Sequence, residues 1–223
     1  LLKLNTHNIM ALRILPFRQY DENDVVNLFA LAPGKENDST TESDAGDGDA
    51  GVFVTVASGN FGKDPIEYTT NSYLGKTDYP FVGRNQYPSV TLKCTPAVAD
   101  GPPPLGLTLL QTAKNDENGE KLLYNPQKRA ELQAVLPGQA VPILTKGIVT
   151  LTADACATHF TTHTVGTGVK ISAESGKLTG CRPDTDTAKV GIIIGTGDRT
   201  AQTENDQFAG SGTEKYIVVA LGL

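Results

Sequence analysis

The sequence predicts a mainly β protein of many short strands with one short helix. Three observations lead there. Gly (23) and Pro (13) together make up about one residue in six of the 223, and both punctuate turns. Thr occurs 26 times, and its branched Cβ packs well on a pleated surface. The apolar segments are strand-length, roughly 4–8 residues, and end at Gly, Pro, Asn or Asp.

Charge and composition exclude several classes. Lys plus Arg is 19 against 25 for Asp plus Glu, a net charge of -6. A nucleic-acid binder needs a surplus of bases to neutralise phosphates, so none is expected. No apolar run approaches the roughly 20 residues of a membrane span. Trp is absent and Phe and Tyr are 7 each, too few for an aromatic stacking platform. The cysteines are Cys94, Cys156 and Cys181. An odd, sparse set is not a disulfide framework, and reduced, partly buried thiols in a cytoplasm are expected.

The first nine residues precede the single methionine, and Met10-Ala11-Leu12-Arg13 reads as a natural start. The nine carry no apolar core or small-residue cleavage site, so a signal peptide is not expected. Ala11 to Tyr20 is apolar, holds Arg13 and Arg18, and is broken by Pro16. Pro16 lacks a backbone donor and pushes Leu15 towards extended backbone. Residues 1–20, within a first region 1–24, read as an extended arm exposing Leu12, Ile14, Leu15 and Phe17. The same residues also suit the first strand of the domain's own sheet. An arm would bind by adding a strand to a neighbour. Its four large apolar side chains would gain roughly 6–12 kcal/mol on burial, and ordering the backbone would cost about 10 kcal/mol. On the arm reading, deleting residues 1–20 should leave a folded protein that no longer binds.

A second region spans 25–98. It follows the polar turn 21–24 and opens on the run Val25 to Leu31, which suits a strand or a short helix. Residues 34–51 then hold six acids and Lys35, a net charge of -5, which leaves -1 for the rest. Closely spaced Asp44, Asp47 and Asp49 suggest calcium. The alternating ligands and later Glu of an EF-hand are missing, however, so a solvated loop is expected. Residues 51–57 and 89–94 read as strands. The region 99–153 opens on the proline run 102–104, which cannot enter a ladder. It continues with a strand at 105–110 and a turn at 115–119. A helix at 126–132 follows, with Asn125 as N-cap and Pro126 in first position. A strand pair at 138–151 bends at Gly147. The region 154–223 holds a Thr-rich loop, strands near 169–173, 188–194 and 214–221, and a polar loop at 195–212.

Candidate chemistry is sparse. Cys156-x2-His159-x3-His163, with Cys181 beyond, resembles zinc spacing. The first pair is atypical and the fourth ligand isolated, so no metal is assigned, and no cofactor. Gly195-Thr-Gly197 follows a strand as a dinucleotide loop would. Thr200 stands where the third glycine belongs, so a hairpin turn is expected there. No Gly-x-Ser-x-Gly occurs, and the histidines of the body, His159 and His163, both sit in the Thr-rich loop. The chain is not expected to be an enzyme.

Three runs carry a resemblance. They are Met10-Ala-Leu-Arg-Ile-Leu-Pro-Phe-Arg-Gln-Tyr-Asp-Glu-Asn-Asp-Val-Val26, Asn115-Asp-Glu-Asn-Gly-Glu-Lys-Leu-Leu-Tyr-Asn-Pro-Gln-Lys-Arg-Ala130 and Pro137-Gly-Gln-Ala-Val-Pro-Ile-Leu-Thr-Lys-Gly-Ile-Val149. They resemble structural proteins of tailed bacteriophages, and more narrowly the capsid decoration (cement) proteins of marine and cyanobacterial phages. The resemblance covers roughly residues 10–31 and 100–153. It implies a β-sandwich or barrel-like body of the lambda decoration type with one short helix and an extended N-terminal arm. It also implies a role without catalysis: binding the outside of the head and stabilising its lattice. The implied partners are the major capsid protein and other copies of the chain in a homotrimer. The implied location is the capsid exterior, after synthesis in the host cytoplasm. The capsid-binding residues would be Leu12, Arg13, Ile14, Leu15, Phe17, Arg18 and Tyr20. Two other readings compete: a tail-tube, head-fibre or adhesion module, and a β-rich carbohydrate-binding domain.

Overall fold

The structure is a computed structural model that describes residues 13–37, 46–58, 90–116, 118–157, 164–182, 188–198 and 215–222. The chain is mainly β. In order it forms β1 (Ile14–Gln19), β2 (Val25–Val26), β3 (Ala30–Leu31), β4 (Phe53–Ser58), β5 (Lys93–Pro96), β6 (Pro104–Thr108) and β7 (Gln111–Thr112). The helix α1 (Pro126–Glu131) follows, then β8 (Ala134–Val135), β9 (Ile143–Leu144), β10 (Lys146–Thr152), β11 (Gly168–Ile171), β12 (Leu178–Cys181), β13 (Lys189–Asp198) and β14 (Lys215–Gly222).

Two six-stranded sheets carry the fold. The first runs β1-β10-β14-β13-β11-β12 and the second β2-β9-β6-β4-β5-β3. A small parallel pair, β7-β8, sits beside them. Strands from 25–98 and 99–153 share the second sheet, while strands from 99–153 and 154–223 share the first. Against the expectation that the proline run stays out of a ladder, Pro104 is the first residue of β6, in the middle of a sheet and opposite Thr55, where the ladder shifts register.

Period-two alternation places the core. Val149, Leu151, Val169, Ile193, Ile217 and Val219 project from the first sheet onto Phe53, Leu107 and Leu144 of the second. Each of these nine is buried, and each contributes about 1.5–3 kcal/mol. The alternate residues of the second sheet, Val54, Cys94 and Ile143, turn to its other face, where they cluster with Leu31 of β3 and with Val141. The second sheet is thus apolar on both faces, which is why β4 reads as a continuous run. A third, small cluster of Ala113, Leu122 and Leu136 packs with Leu132 beside the helix.

The expected helix start holds. Asn125 caps α1, its Oδ1 accepting from Lys128 N at 3.2 Å, with Pro126 in the first turn. Other expectations change. Gly147, expected at a bend or bulge, instead lies inside β10 in unbroken register opposite Leu221, with φ 147°, and a Cβ there would meet Gln19 and Tyr20. The run 25–31 is one segment in sequence but two strands in space. It crosses the second sheet from β2 on one edge to β3 on the other, with Val141 N donating to Phe29 O midway. The pair predicted at 138–151 is split between the two sheets. Thr145 makes the corner, its N and Oγ1 each 2.9 Å from Asp24 O. Local pattern reports strand, but the partner is chosen by contacts distant in sequence.

Candidate functional site

The N-terminal strand is the best-defined interaction element. β1 lies at the end of the first sheet, and among the described residues no strand pairs with its outer side. Of the two sequence readings for residues 13–20, the structure shows the strand. Ile14 faces Leu151, Arg18 faces Val149 and Gln19 faces Ile148 on β10. The ladder shifts register between Ile14 and Arg18, where Pro16 has no N–H to contribute. Leu12 lies outside the described residues.

Burial divides the expected contact residues. Ile14 (6%) and Leu15 (5%) are in the chain's own core, and Arg13 is 3% exposed. These three cannot serve as an outer contact while β1 is in place, which corrects the arm assignment for them. Phe17 is 66% exposed and Tyr20 38%. Arg18 is half-buried between them. Phe17 on β1 and Tyr20, one residue past its end, flank Arg18 in sequence along a strand edge that no described strand pairs, and extended peptide or another protein can use such an edge. Deleting residues 1–20 would now remove an edge strand and two core side chains, so loss of stability is expected with loss of binding.

The C-terminal half of the acidic segment is not solvated, a second correction. Arg13 Nε lies 3.3 Å from Asp49 Oδ2, with both side chains 4% exposed. Asn37 Nδ2 donates to Asp49 Oδ1 at 2.7 Å. Lys35 Nζ lies 2.9 Å from Asp47 Oδ2, and Ser175 Oγ donates to Asp47 Oδ1 at 2.7 Å. The backbone is stitched as well, with Thr112 N donating to Gly48 O at 2.7 Å and Gly51 N to Thr108 O at 2.7 Å. The carboxylates that suggested calcium are engaged by cations, an amide and a hydroxyl of the protein itself. Asp44 lies outside the described residues. An Arg inside an apolar run was the one sequence signal for this pairing, because a buried guanidinium needs an acid. The identity of the acid, 36 positions away, was not legible.

Cys94 and Cys156 are buried thiols held protonated. Burial, partly offset by a backbone hydrogen bond and by Lys93, pushes the Cys94 thiol up to about 12. Burial likewise pushes Cys156 up to about 12, with Lys177 opposing and Asp154 adding to it. Thiols held protonated are poor nucleophiles and poor metal ligands at neutral pH. Cys156 forms a parallel bridge with Leu178, three residues before the half-buried Cys181. His159 and His163 lie outside the described residues. Among the described residues no group of three or more His, Cys, Asp or Glu could hold an ion, and no helix is long and apolar enough to cross a membrane.

The raised thiol values carry a stability consequence. The folded thiol titrates near 12 and the unfolded one near its ordinary 9.0, so the folded state holds more protons between those values. Stability is then fully present below 9.0 and falls as pH rises towards 12. Denaturant midpoints across that range are expected to decline less steeply in a Cys94→Ala/Cys156→Ala variant. An identical slope in both proteins would reject the assignment.

Gly195 and Gly197 are not a hairpin turn, a third correction. Both lie within β13, where Gly195 pairs with Val218 and Gly197 with Tyr216. Ile194 is the extra residue of a bulge between Ile193 and Gly195, and it is exposed at 46%. The Tyr216 ring occupies the space a Cβ on Gly197 would need. The glycines serve cross-strand packing and the bulge.

No family model, curated protein or solved structure matches this chain.

Proposed function

We propose that this chain is a non-enzymatic structural protein of a tailed-phage virion that binds the outside of the head and stabilises its lattice. The observation that carries the reading is the outer edge of β1: six residues at the end of a sheet, with Phe17 66% exposed and Tyr20 38% exposed. The phage-like sequence runs include this strand, within Met10 to Val26, and the run 137–149, whose last residues Ile148 and Val149 pair with it.

The edge also changes the energetics of binding. A loose arm would lose backbone entropy on docking, at roughly 1–2 kcal/mol per residue. A strand already ordered in its own sheet has met that cost during folding, so side-chain burial at the contact appears more fully in affinity. Each contact can then be modest, because a multivalent subunit bridging several capsomers gains avidity. The contact residues on this reading are Phe17, Arg18 and Tyr20, the major capsid protein is the partner, and the subunit is a homotrimer on the capsid exterior.

Co-sedimentation with expanded heads lacking the protein tests the reading. Saturable binding of the folded chain is expected. A folded chain that stays in the supernatant would count against it. If light scattering then showed closed rings of the chain, the weight would pass to a tail tube.

A further inference from the structure

Arg13 joins the edge strand of one sheet to the other layer. Its carbonyl accepts from Thr152 N of β10 at 3.0 Å, while its guanidinium lies against Asp49, which the second layer holds. Asp49 lies on the segment 46–51, Asn37 follows β3, and Thr108 of β6 donates its Oγ1 to Asp49 O at 3.1 Å. Gly46 (φ 67°) and Gly51 (φ 89°) both lie in the left-handed region. A Cβ on Gly46 would fall inside the Arg13 guanidinium and the Asp49 carboxylate, and one on Gly51 would meet the Arg13 Cβ. The cradle is shaped to the side chain. Besides the pair, Ile14 and Leu15 anchor the start of β1 in the core, and the rest of the strand is weakly held. Among the described residues β1 has one neighbouring strand, an irregular ladder and a proline without an N–H.

We propose that the Arg13–Asp49 pair is a lock on the edge strand. It commits β1 to its register on β10, and β1 opens as a unit of its own when the pair is lost. A buried ion pair adds little net stability over an apolar substitute, but removing one partner is costly, so it punishes every arrangement in which the two are apart. Slipped and withdrawn forms of β1 leave a charge stranded and are disfavoured. The strand therefore meets a partner as a fixed edge and is not donated as an arm. This inference concerns the chain alone and does not rest on the virion reading.

Native-state hydrogen exchange on the full chain tests the lock. In the unaltered protein the β1 amides are expected to exchange faster than those of β13 and β14, through a local opening. Asp49→Asn should accelerate the β1 amides about a hundredfold or more, since the opened form no longer forfeits the pair. Arg13→Lys keeps the charge but loses the planar fork, and it should accelerate them by a smaller factor; it serves alone if Asp49→Asn does not fold. Two results would overturn the proposal: β1 amides at their original rate in the variants, or β1 amides in the unaltered protein exchanging only as slowly as those of β13 and β14.

Discussion

Phe53→Ala is expected to lower the free energy of unfolding by about 3–5 kcal/mol. Phe53 is fully buried and projects from β4 into the cluster shared by both sheets. Its backbone is held from two directions, with its N–H donating to Gly176 O at 3.1 Å and its carbonyl accepting from Ala97 N at 2.8 Å. The strand cannot easily move to fill the space a truncation would leave. The cost is therefore the lost transfer free energy plus that of a cavity between layers. For a chain of this size that corresponds to a fall in Tm of about 6–20 °C. Urea denaturation with a matched thermal scan measures it. A loss under about 1 kcal/mol would mean that the sheets do not pack across Phe53 as described.

The second large effect concerns binding. The double variant Phe17→Ser/Tyr20→Ser should weaken attachment to heads by at least about a hundredfold while leaving the fold intact. Aromatic residues at the centre of an interface commonly cost about 2 kcal/mol or more each when truncated, and surface changes away from special features move stability by only about 0.5 kcal/mol. Phe17 and Tyr20 are exposed, so the two effects should separate. Head binding by titration and the urea midpoint of the free variant are the paired readouts. Unchanged binding would remove the β1 edge from the contact.

The same strand shows how much of the molecule could be read in the sequence. The strands around 53, 93 and 215 and the helix after Asn125 were legible because each depends on neighbours: alternation, branched residues, a capping side chain and Pro126. What failed depends on distant partners. Nothing local says that Ile14 faces Leu151, that Thr145 turns the chain between sheets, or that Asp49 meets Arg13. The acidic run was read by its charge alone, and its charge does point to solvent. Asp47 and Asp49 are held because Lys35, Asn37, Ser175 and Arg13 converge on them. The glycines at 195 and 197 suggested a turn for the usual reason, yet they serve a bulge and the Tyr216 ring. For the candidate site, the residue identities of positions 13–20 are visible in the sequence. The division into buried Arg13, Ile14 and Leu15 and exposed Phe17 and Tyr20 needed the fold.

Cryo-EM of expanded heads incubated with the purified chain tests the central claim most directly. The account predicts ordered density at three-fold or neighbouring sites on the outer surface, with β1 in its own sheet and Phe17 and Tyr20 turned onto the major capsid protein. Heads left bare by a folded chain, or density in which the β1 edge faces solvent, would contradict it.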